Sequence, residues 1–188
     1  MARKLRVLTV PNLITVSRMA LLVPVVKGIL APEPKHSTFT LTALWASTDW
    51  VDGWFARRFD QQSRLGEIID PIADRTGIAA VATALTASGS LPAVATATIA
   101  GTDVVAALGA GKAALEGRIH VSKVGKLRSL VMFVGMTALV AERSGYPELG
   151  KFGRATTLVG VVLHVYCGAK YVVDAFRTRP RRQRAVRG

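Results

Sequence analysis

The chain has 188 residues, of which 25 are Lys or Arg and 12 are Asp or Glu, so its formal net charge is +13 although 50% of its residues are hydrophobic. A nucleic-acid-binding domain can carry this charge, but it does not normally contain apolar stretches near the ~20 residues that cross a bilayer. Composition therefore favours a basic membrane protein with one domain of ordinary size.

Six largely apolar segments follow one another along the chain, at residues 13–30, 39–55, 65–87, 92–113, 127–141 and 155–173. The first follows a basic run, as the apolar region of a signal peptide does, but it is long for a signal peptide and further segments come after it. Between the third and fourth segments, Gly89 and Pro92 mark a turn. The segments predict an all-α integral membrane protein with six transmembrane helices.

The Lys and Arg residues indicate the orientation of these helices, because cytoplasmic loops carry an excess of them. With both termini in the cytoplasm, the segments on that side hold 17 of the 25. Residues 179–188 are predicted to form a basic, disordered tail after a membrane domain at residues 1–178. The tail either sets the topology or is attracted to anionic headgroups.

Four carboxylates interrupt the second and third segments, at Asp49, Asp52, Asp70 and Asp74. Ionised groups inside membrane spans are costly and indicate function. At about 100° per residue, Asp49 and Asp52 share one face of a helix, and Asp70 and Asp74 share a face of the next. The two helices are antiparallel and joined by a short basic turn, so the carboxylates are expected to converge just below the cytoplasmic surface.

Like charges this close to one another need compensating cations. Oxygen ligands favour Mg²⁺ or Mn²⁺ over softer metals, and Mg²⁺ usually completes its shell with substrate phosphates. A cation transporter would spread its acidic groups through the membrane, whereas these lie at one end. A basic membrane scaffold is another alternative. A further alternative is structural ion pairing with nearby arginines, namely Arg57, Arg58, Arg64 and Arg75.

The acidic segment has the spacing D-x2-D-G-x2-A-R-x8-G-x3-D-x3-D, with eight set positions over the 26 residues from Asp49 to Asp74. This spacing resembles the signature of the CDP-alcohol phosphotransferase family of integral-membrane phospholipid synthases. The resemblance extends from residues 11–15 through the six-helix layout. It implies a metal-dependent transfer of a phosphatidyl group from CDP-diacylglycerol to an alcohol, with release of CMP. A metal-dependent release of CMP would separate such an enzyme from both a cation transporter and a scaffold.

The resemblance also implies a role for each matching residue. Asp49 and Asp70 would bridge two divalent ions, Mg²⁺ or Mn²⁺, and Asp52 would bind one of them. Asp74 would contact the second ion and act as general base. CDP-diacylglycerol would be bound by the other matching positions, which are Asn12, Thr15, Gly53, Ala56, Arg57, Ser63 and Gly66.

Several alcohols are compatible with the expected reaction. Residues 7–15 and 49–53 resemble phosphatidylglycerophosphate synthases and the related cardiolipin synthases, and glycerol 3-phosphate is the first expectation. Its phosphate would be bound by three cations, which otherwise serve as a positive-inside anchor: Lys123, Lys126 and Arg128. Phosphatidylglycerol, which gives cardiolipin, is the alternative acceptor, because Thr102 stands where many relatives have Arg; inositol phosphate is a third.

The surroundings of Asp103 and the partners of the whole protein can also be predicted. Asp103, next to Thr102, is expected either to assist the acceptor site or to be buried in the bundle. The resemblance implies a homodimer among the lipids of a bacterial-type cell membrane, with its active site at the cytoplasmic face. Neither the motif nor the apolar segments indicate a nucleic-acid partner.

Overall fold

The structure is a computed structural model that describes the backbone of residues 10–58, 64–115 and 123–177 and the side chains of residues 13–48, 72–109 and 124–176. These residues form six α-helices and, within the described ranges, no strand. The helices are α1 (Val10–Leu30), α2 (His36–Arg58), α3 (Arg64–Ala87), α4 (Ala93–Leu115), α5 (Lys123–Arg143) and α6 (Leu149–Arg177). The prediction of an all-α chain with six helices is confirmed, whereas the tail at residues 179–188 lies outside the described residues.

Three of the helices are long and apolar enough to cross a membrane within the described part of the chain, at Leu13–Leu30, Val124–Arg143 and Leu149–Phe176. A shorter apolar segment covers Ala93–Gly109 of α4. The helices also run past the apolar segments seen in the sequence: α6 begins at Leu149, before the apolar run at 155. Polar residues continue the backbone hydrogen bonding of a helix beyond its apolar part, so hydropathy alone places helix ends too far inward.

The bundle is built around two groups of neighbours. α1 packs against α2 and α3, while α5 packs most extensively against α6 and also contacts α2 and α3. α4 closes the bundle against α3 and α6. The shared core is apolar, and among its fully buried side chains are Val25, Ile29, Ile78, Val81, Leu85, Met132 and Leu139.

One end of the bundle gathers the connections that follow α1, α3 and α5. Arg143 donates from one guanidinium nitrogen to the carbonyl of Ser88 at 2.9 Å and from the other to the carbonyl of Ala31 at 3.4 Å. Gly89 and Gly145 follow α3 and α5 with φ of 78° and 105°, a conformation that glycine adopts without steric cost. Arg143 therefore ties the three connections to one another.

α5 and α6 approach closely because glycines stand at their contact. A Cβ placed on Gly135 would lie 2.6 Å from the backbone nitrogen of Thr157, and one placed on Gly153 would lie 2.9 Å from the backbone nitrogen of Leu139. These neighbours are backbone atoms, which cannot move aside as a flexible side chain can. Small residues at such a contact allow helices in a membrane to pack through their backbones.

Gly135→Ala is therefore expected to lower the thermal unfolding midpoint of the purified protein in detergent. Overpacking of this kind costs typically about 1 to 3 kcal/mol. The matched control is Gly101→Ala on α4, where a Cβ would meet nothing within 4 Å. Since Ala is the better helix former by about 1 kcal/mol, the control should keep or raise the midpoint, and equal midpoints for the two variants would contradict the close α5–α6 contact.

Candidate functional site

The described side chains include one of the four acidic residues that the sequence singles out. Asp74 lies on α3, while Asp49 and Asp52 belong to α2 and Asp70 to α3 with side chains outside the described residues. Among the predicted substrate-binding positions, the Thr15 side chain is described, and Ser63 lies wholly outside the described residues. The side chains of the others lie outside them as well, at Asn12, Gly53, Ala56, Arg57 and Gly66. The convergence of four carboxylates stays a prediction.

Asp74 forms an ion pair with an arginine that the acidic motif does not contain. Nη1 of Arg18, on α1, donates to Oδ1 of Asp74 at 2.7 Å. The Arg18 side chain is 1% exposed and the Asp74 side chain 21% exposed, so the pair is set inside the bundle with its acidic end closer to the surface. A charge-assisted hydrogen bond of this length in a dehydrated setting is stronger than a neutral one.

Two aromatic rings hold the guanidinium of Arg18 on its other sides. Cζ of Arg18 lies 5.4 Å from the ring centroid of Trp45 on α2 and 5.4 Å from that of Phe133 on α5. The rings meet edge to face, with centroids 5.2 Å apart and an interplanar angle of 87°. A cation over aromatic faces is attracted by their quadrupoles, more so when it is desolvated, so Arg18, Asp74, Trp45 and Phe133 join four helices at one point.

A glycine makes room for this arrangement. A Cβ on Gly77, one turn after Asp74 on α3, would collide with the six-membered ring of Trp45, which is 2% exposed. Thr15, predicted to contact the nucleotide, lies one turn before Arg18 on α1 and is likewise 2% exposed. Thr15 and Arg18 are therefore both buried on α1, and Arg18 contacts the helix that carries Asp74.

Sequence reasoning missed Arg18 as a partner of Asp74. The alternative of structural ion pairs named Arg57, Arg58, Arg64 and Arg75, which are near the acids in sequence. The available signal was Arg18 itself, since a charge in the middle of an apolar segment needs a partner inside the bundle.

A second polar cluster joins α3, α4 and α6. Oδ1 of Asp103 lies 3.4 Å from Nη1 of Arg75 and 3.4 Å from Nε2 of His164. His164 is 1% exposed, and neither of its ring nitrogens has a hydrogen-bond partner among the described residues. Thr102 fills the space next to Asp103 by packing its methyl group against Gly168 of α6, so Asp103 lies between two basic side chains within the bundle.

The predicted acceptor-binding cations differ in their exposure. Arg128, near the start of α5, is 9% exposed, and its Nε has no hydrogen-bond partner among the described residues. Lys126 is exposed, and the side chain of Lys123 lies outside the described residues. A mostly buried guanidinium with an unmatched donor is suited to an anion, since buried donors are normally paired.

No group of three or more His, Cys, Asp or Glu that could hold a metal ion occurs among the described residues. Asp74 has the oxygen chemistry that Mg²⁺ prefers, and its proposed co-ligands are all carboxylates too. An open cavity of about 680 Å³ lies at the end tied by Arg143, between the connections that follow α1 and α5. It is about 20 Å along α3 from Asp74, at ~1.5 Å per residue, and belongs to the other end of the bundle.

A comparison with protein families gives a match that covers most of the chain. The family described as CDP-alcohol phosphatidyltransferase matches residues 8–166. That range includes Arg18, the whole acidic motif, the Asp103 cluster and Arg128.

Individual relatives are similar over different lengths. A Streptomyces coelicolor protein named cardiolipin synthase (CMP-forming) is 31% identical over 182 residues, which cover 92% of this chain and 85% of that protein. An Escherichia coli protein named CDP-diacylglycerol–glycerol-3-phosphate 3-phosphatidyltransferase is 28% identical over 176 residues, covering 88% and 94%. A Mycobacterium tuberculosis relative is 37% identical over 87 residues, which are 46% of this chain, and the match spans less than half of that protein, at 42%.

Replacing Asp74 by Ala is expected to lower the free energy of unfolding strongly, because the guanidinium of Arg18 stays buried without its carboxylate. Losing one partner of a buried pair costs about 3 to 5 kcal/mol. The control is Glu142→Ala, which removes an ion pair of 2.9 Å with Arg154, whose side chain is 53% exposed. Exposed pairs contribute about 1 kcal/mol or less, so thermal melts of the two variants should differ clearly, and equal losses would contradict the buried position of Arg18.

Proposed function

The chain belongs to the CDP-alcohol phosphatidyltransferase family, and we propose that it transfers a phosphatidyl group from CDP-diacylglycerol to an alcohol and releases CMP. The observation that carries this proposal is the family match over residues 8–166, which encloses the complete acidic motif. The activity places the protein in phospholipid biosynthesis. The alternatives of a cation transporter and of a membrane scaffold predict no release of CMP.

In this reaction Asp74 accepts the proton of the acceptor hydroxyl, whose oxygen then attacks the phosphorus that carries the diacylglycerol. The bond from that phosphorus to the CMP oxygen breaks, and CMP leaves. Two divalent ions, Mg²⁺ or Mn²⁺, held by Asp49, Asp52, Asp70 and Asp74, would supply positive charge at the pyrophosphate. The hydrogen bond from Arg18 supports this role of Asp74, because it fixes the direction of the carboxylate.

The remaining motif residues bind the nucleotide in the proposed site. Gly53, Ala56 and Gly66 leave room for the cytidine, and Arg57 pairs with the pyrophosphate. Thr15 contacts the nucleotide from α1 together with Asn12 and Ser63. Thr15 lies on α1 one turn before Arg18, the hydrogen-bond partner of Asp74, and this proximity to the acidic motif supports its assignment.

The protein is membrane-associated, as its three long apolar helices indicate, and we propose that all six helices span the bilayer with both termini in the cytoplasm. The connections tied by Arg143 then face outward, and the connection between α2 and α3 faces the cytoplasm. Nucleotide substrate reaches the acidic motif from that side. The protein acts as a homodimer in a bacterial-type cell membrane, with its membrane domain at residues 1–178 followed by a disordered basic tail.

Glycerol 3-phosphate is the proposed acceptor, so that phosphatidylglycerophosphate is the product. Lys123, Lys126 and Arg128 bind its phosphate. The mostly buried guanidinium of Arg128, whose Nε has no hydrogen-bond partner among the described residues, supports this assignment, because a soluble anion must be held while its hydroxyl is presented to Asp74. The E. coli relative is named for this reaction, and the match covers 94% of its length.

Phosphatidylglycerol, which would give cardiolipin, is the second candidate acceptor. The S. coelicolor relative named cardiolipin synthase supports it, at 31% identity over 92% of this chain. A specific observation also favours it: Thr102, at the position where many relatives have Arg, packs its methyl group closely against Gly168 of α6. A lipid acceptor enters from the bilayer and depends less on fixed cations.

Asp74→Asn should abolish CMP release while largely sparing the binding of CDP-diacylglycerol. The amide oxygen can still accept a hydrogen bond from Arg18, so the fold is retained. The amide cannot take the proton of the hydroxyl, and general-base catalysis contributes about 10²- to 10⁴-fold.

Asp49→Asn should instead weaken Mn²⁺ and nucleotide binding together, because a bridging carboxylate serves both ions. Metal titration and binding of CDP-diacylglycerol by the two purified variants distinguish these roles, and near-parental turnover of Asp74→Asn would exclude it as the base.

Replacing Lys126 and Arg128 together by Gln should raise the KM for glycerol 3-phosphate by at least about 100-fold and leave the KM for CDP-diacylglycerol little changed. Two charge-assisted hydrogen bonds, each of about 1.5 to 3 kcal/mol, would be lost. Lys151→Gln is the control, since Lys151 is also exposed but lies at the start of α6, at the other end of the bundle. A parental enzyme that ignores glycerol 3-phosphate and consumes phosphatidylglycerol would replace the first acceptor by the second.

A further inference from the structure

We propose that Arg18 is a positioning residue for Asp74, and that it sets the direction in which the carboxylate presents itself to the acceptor hydroxyl. The inference rests on the proposed function, because it assigns Arg18 a part in the same transfer. It concerns a residue on α1 that lies outside the acidic motif, 56 residues before its partner in the chain. The observations that carry it are the burial of Arg18, its hydrogen bond and the two rings around it.

The guanidinium of Arg18 is held by two aromatic rings as well as by its hydrogen bond to Asp74. Its guanidinium carbon lies 5.4 Å from each of two ring centroids, and the rings are packed edge to face against one another. Trp45 is in turn pressed against α3 where Gly77 has no side chain. A planar guanidinium held between two rings keeps the orientation of its N–H groups, whereas a flexible ammonium would not.

A short hydrogen bond from the guanidinium of Arg18 orients the carboxylate of Asp74. Nη1 of Arg18 lies 2.7 Å from Oδ1 of Asp74, a distance typical of a charge-assisted contact. Asp74 comes from α3 and Arg18 from α1, so the bond also links these two helices. Arg18 thereby determines which way the acidic group of α3 faces.

Its burial excludes Arg18 as a direct binder of a substrate that arrives from the aqueous side. The side chain is 1% exposed, whereas that of Asp74 is 21% exposed. The hydroxyl therefore reaches Asp74, and Arg18 acts from behind it. Displacement of a catalytic group by about 1 Å can cost about 100-fold in rate, so loss of the positioning contact is expected to appear in kcat.

The test compares Arg18→Met and Arg18→Lys with the parental enzyme, purified in detergent and assayed for CMP release from CDP-diacylglycerol. Arg18→Met should lower kcat by about 100-fold, as expected for a misplaced catalytic group, and change the KM for CDP-diacylglycerol by less than threefold. Arg18→Lys keeps the cation at the ion pair and should recover part of the lost kcat. An unchanged kcat in Arg18→Met, or a loss that appears only in KM, overturns the proposal.

A matched arginine separates positioning from stability. Arg143 also has a partly buried guanidinium and joins two carbonyls, but it does so at the other end of the bundle. Arg143→Met should lower the thermal unfolding midpoint and leave kcat unchanged. Arg18→Met should lower kcat by more than Arg143→Met does at a comparable loss of the thermal midpoint. If both variants lose kcat in proportion to their stability, Arg18 is only structural.

Should Arg18→Met not fold, Phe133→Leu is the alternative variant, because it removes one ring and leaves the ion pair. It should lower kcat several-fold at constant KM, and a parental kcat overturns the proposal.

Combination with Asp74→Asn shows whether Arg18 acts through Asp74. Residues that act as one unit are not additive in their effect on kcat. Adding Arg18→Met to Asp74→Asn should therefore change the residual kcat by less than about twofold, whereas a further large loss contradicts action through Asp74. A parental enzyme that releases no CMP with any alcohol overturns the proposed function itself, and an active parent with an indifferent Arg18 overturns only the positioning role.

Discussion

A guanidinium inside an apolar helix bundle depends on charge partners and hydrogen bonds within the protein, because apolar surroundings offer neither. Around the guanidinium of Arg18 lie a carboxylate at 2.7 Å and two aromatic rings. Each partner comes from a different helix, so α1, α2, α3 and α5 must be rotated and staggered to meet at one point. The arrangement of Asp74 follows from that meeting.

The two ends of the bundle use arginine in different ways. Arg143 donates to main-chain carbonyls and ties three connections together, which is a structural task with neutral acceptors. Arg18 instead pairs with a carboxylate that is 21% exposed and therefore reachable by a ligand. A main-chain carbonyl is not protonated near neutral pH, whereas a carboxylate can take a proton from a substrate. The chemistry of the partner thus distinguishes the structural arginine from the one beside the proposed catalytic group.

Close packing elsewhere supplies the rigidity that such a site requires. α5 and α6 meet through Gly135 and Gly153, which leave their backbones nearly in contact. Phe133 lies on the same helix as Gly135 and forms one wall around Arg18. A shift of α5 would move that wall, so helix packing and the position of Asp74 are linked through Phe133. The Asp103 cluster also joins three helices, α3, α4 and α6, through the polar side chains of Arg75, Asp103 and His164.

Much of the chain could be predicted from its residues alone. Apolar segments and their turn residues indicated six helices, since hydropathy and helix-breaking residues are local properties, and the spacing from Asp49 to Asp74 indicated the family. The same locality explains what stayed hidden. Helix ends at Lys123 and Leu149 lie beyond the apolar segments, because a backbone continues its hydrogen bonding into polar residues.

The tertiary structure alone decided which side chains meet. Helical periodicity gives the face on which a residue lies, but it does not give the rotation and stagger of one helix against another. Arg18 and Asp74 are 56 residues apart, and their pairing depends on how α1 lies against α3. The positions of His164 beside Asp103 and of Thr102 against Gly168 depend in the same way on how α4 lies against α6. Sequence therefore determined the helices and the chemistry available on them, and packing between helices decided which groups are paired.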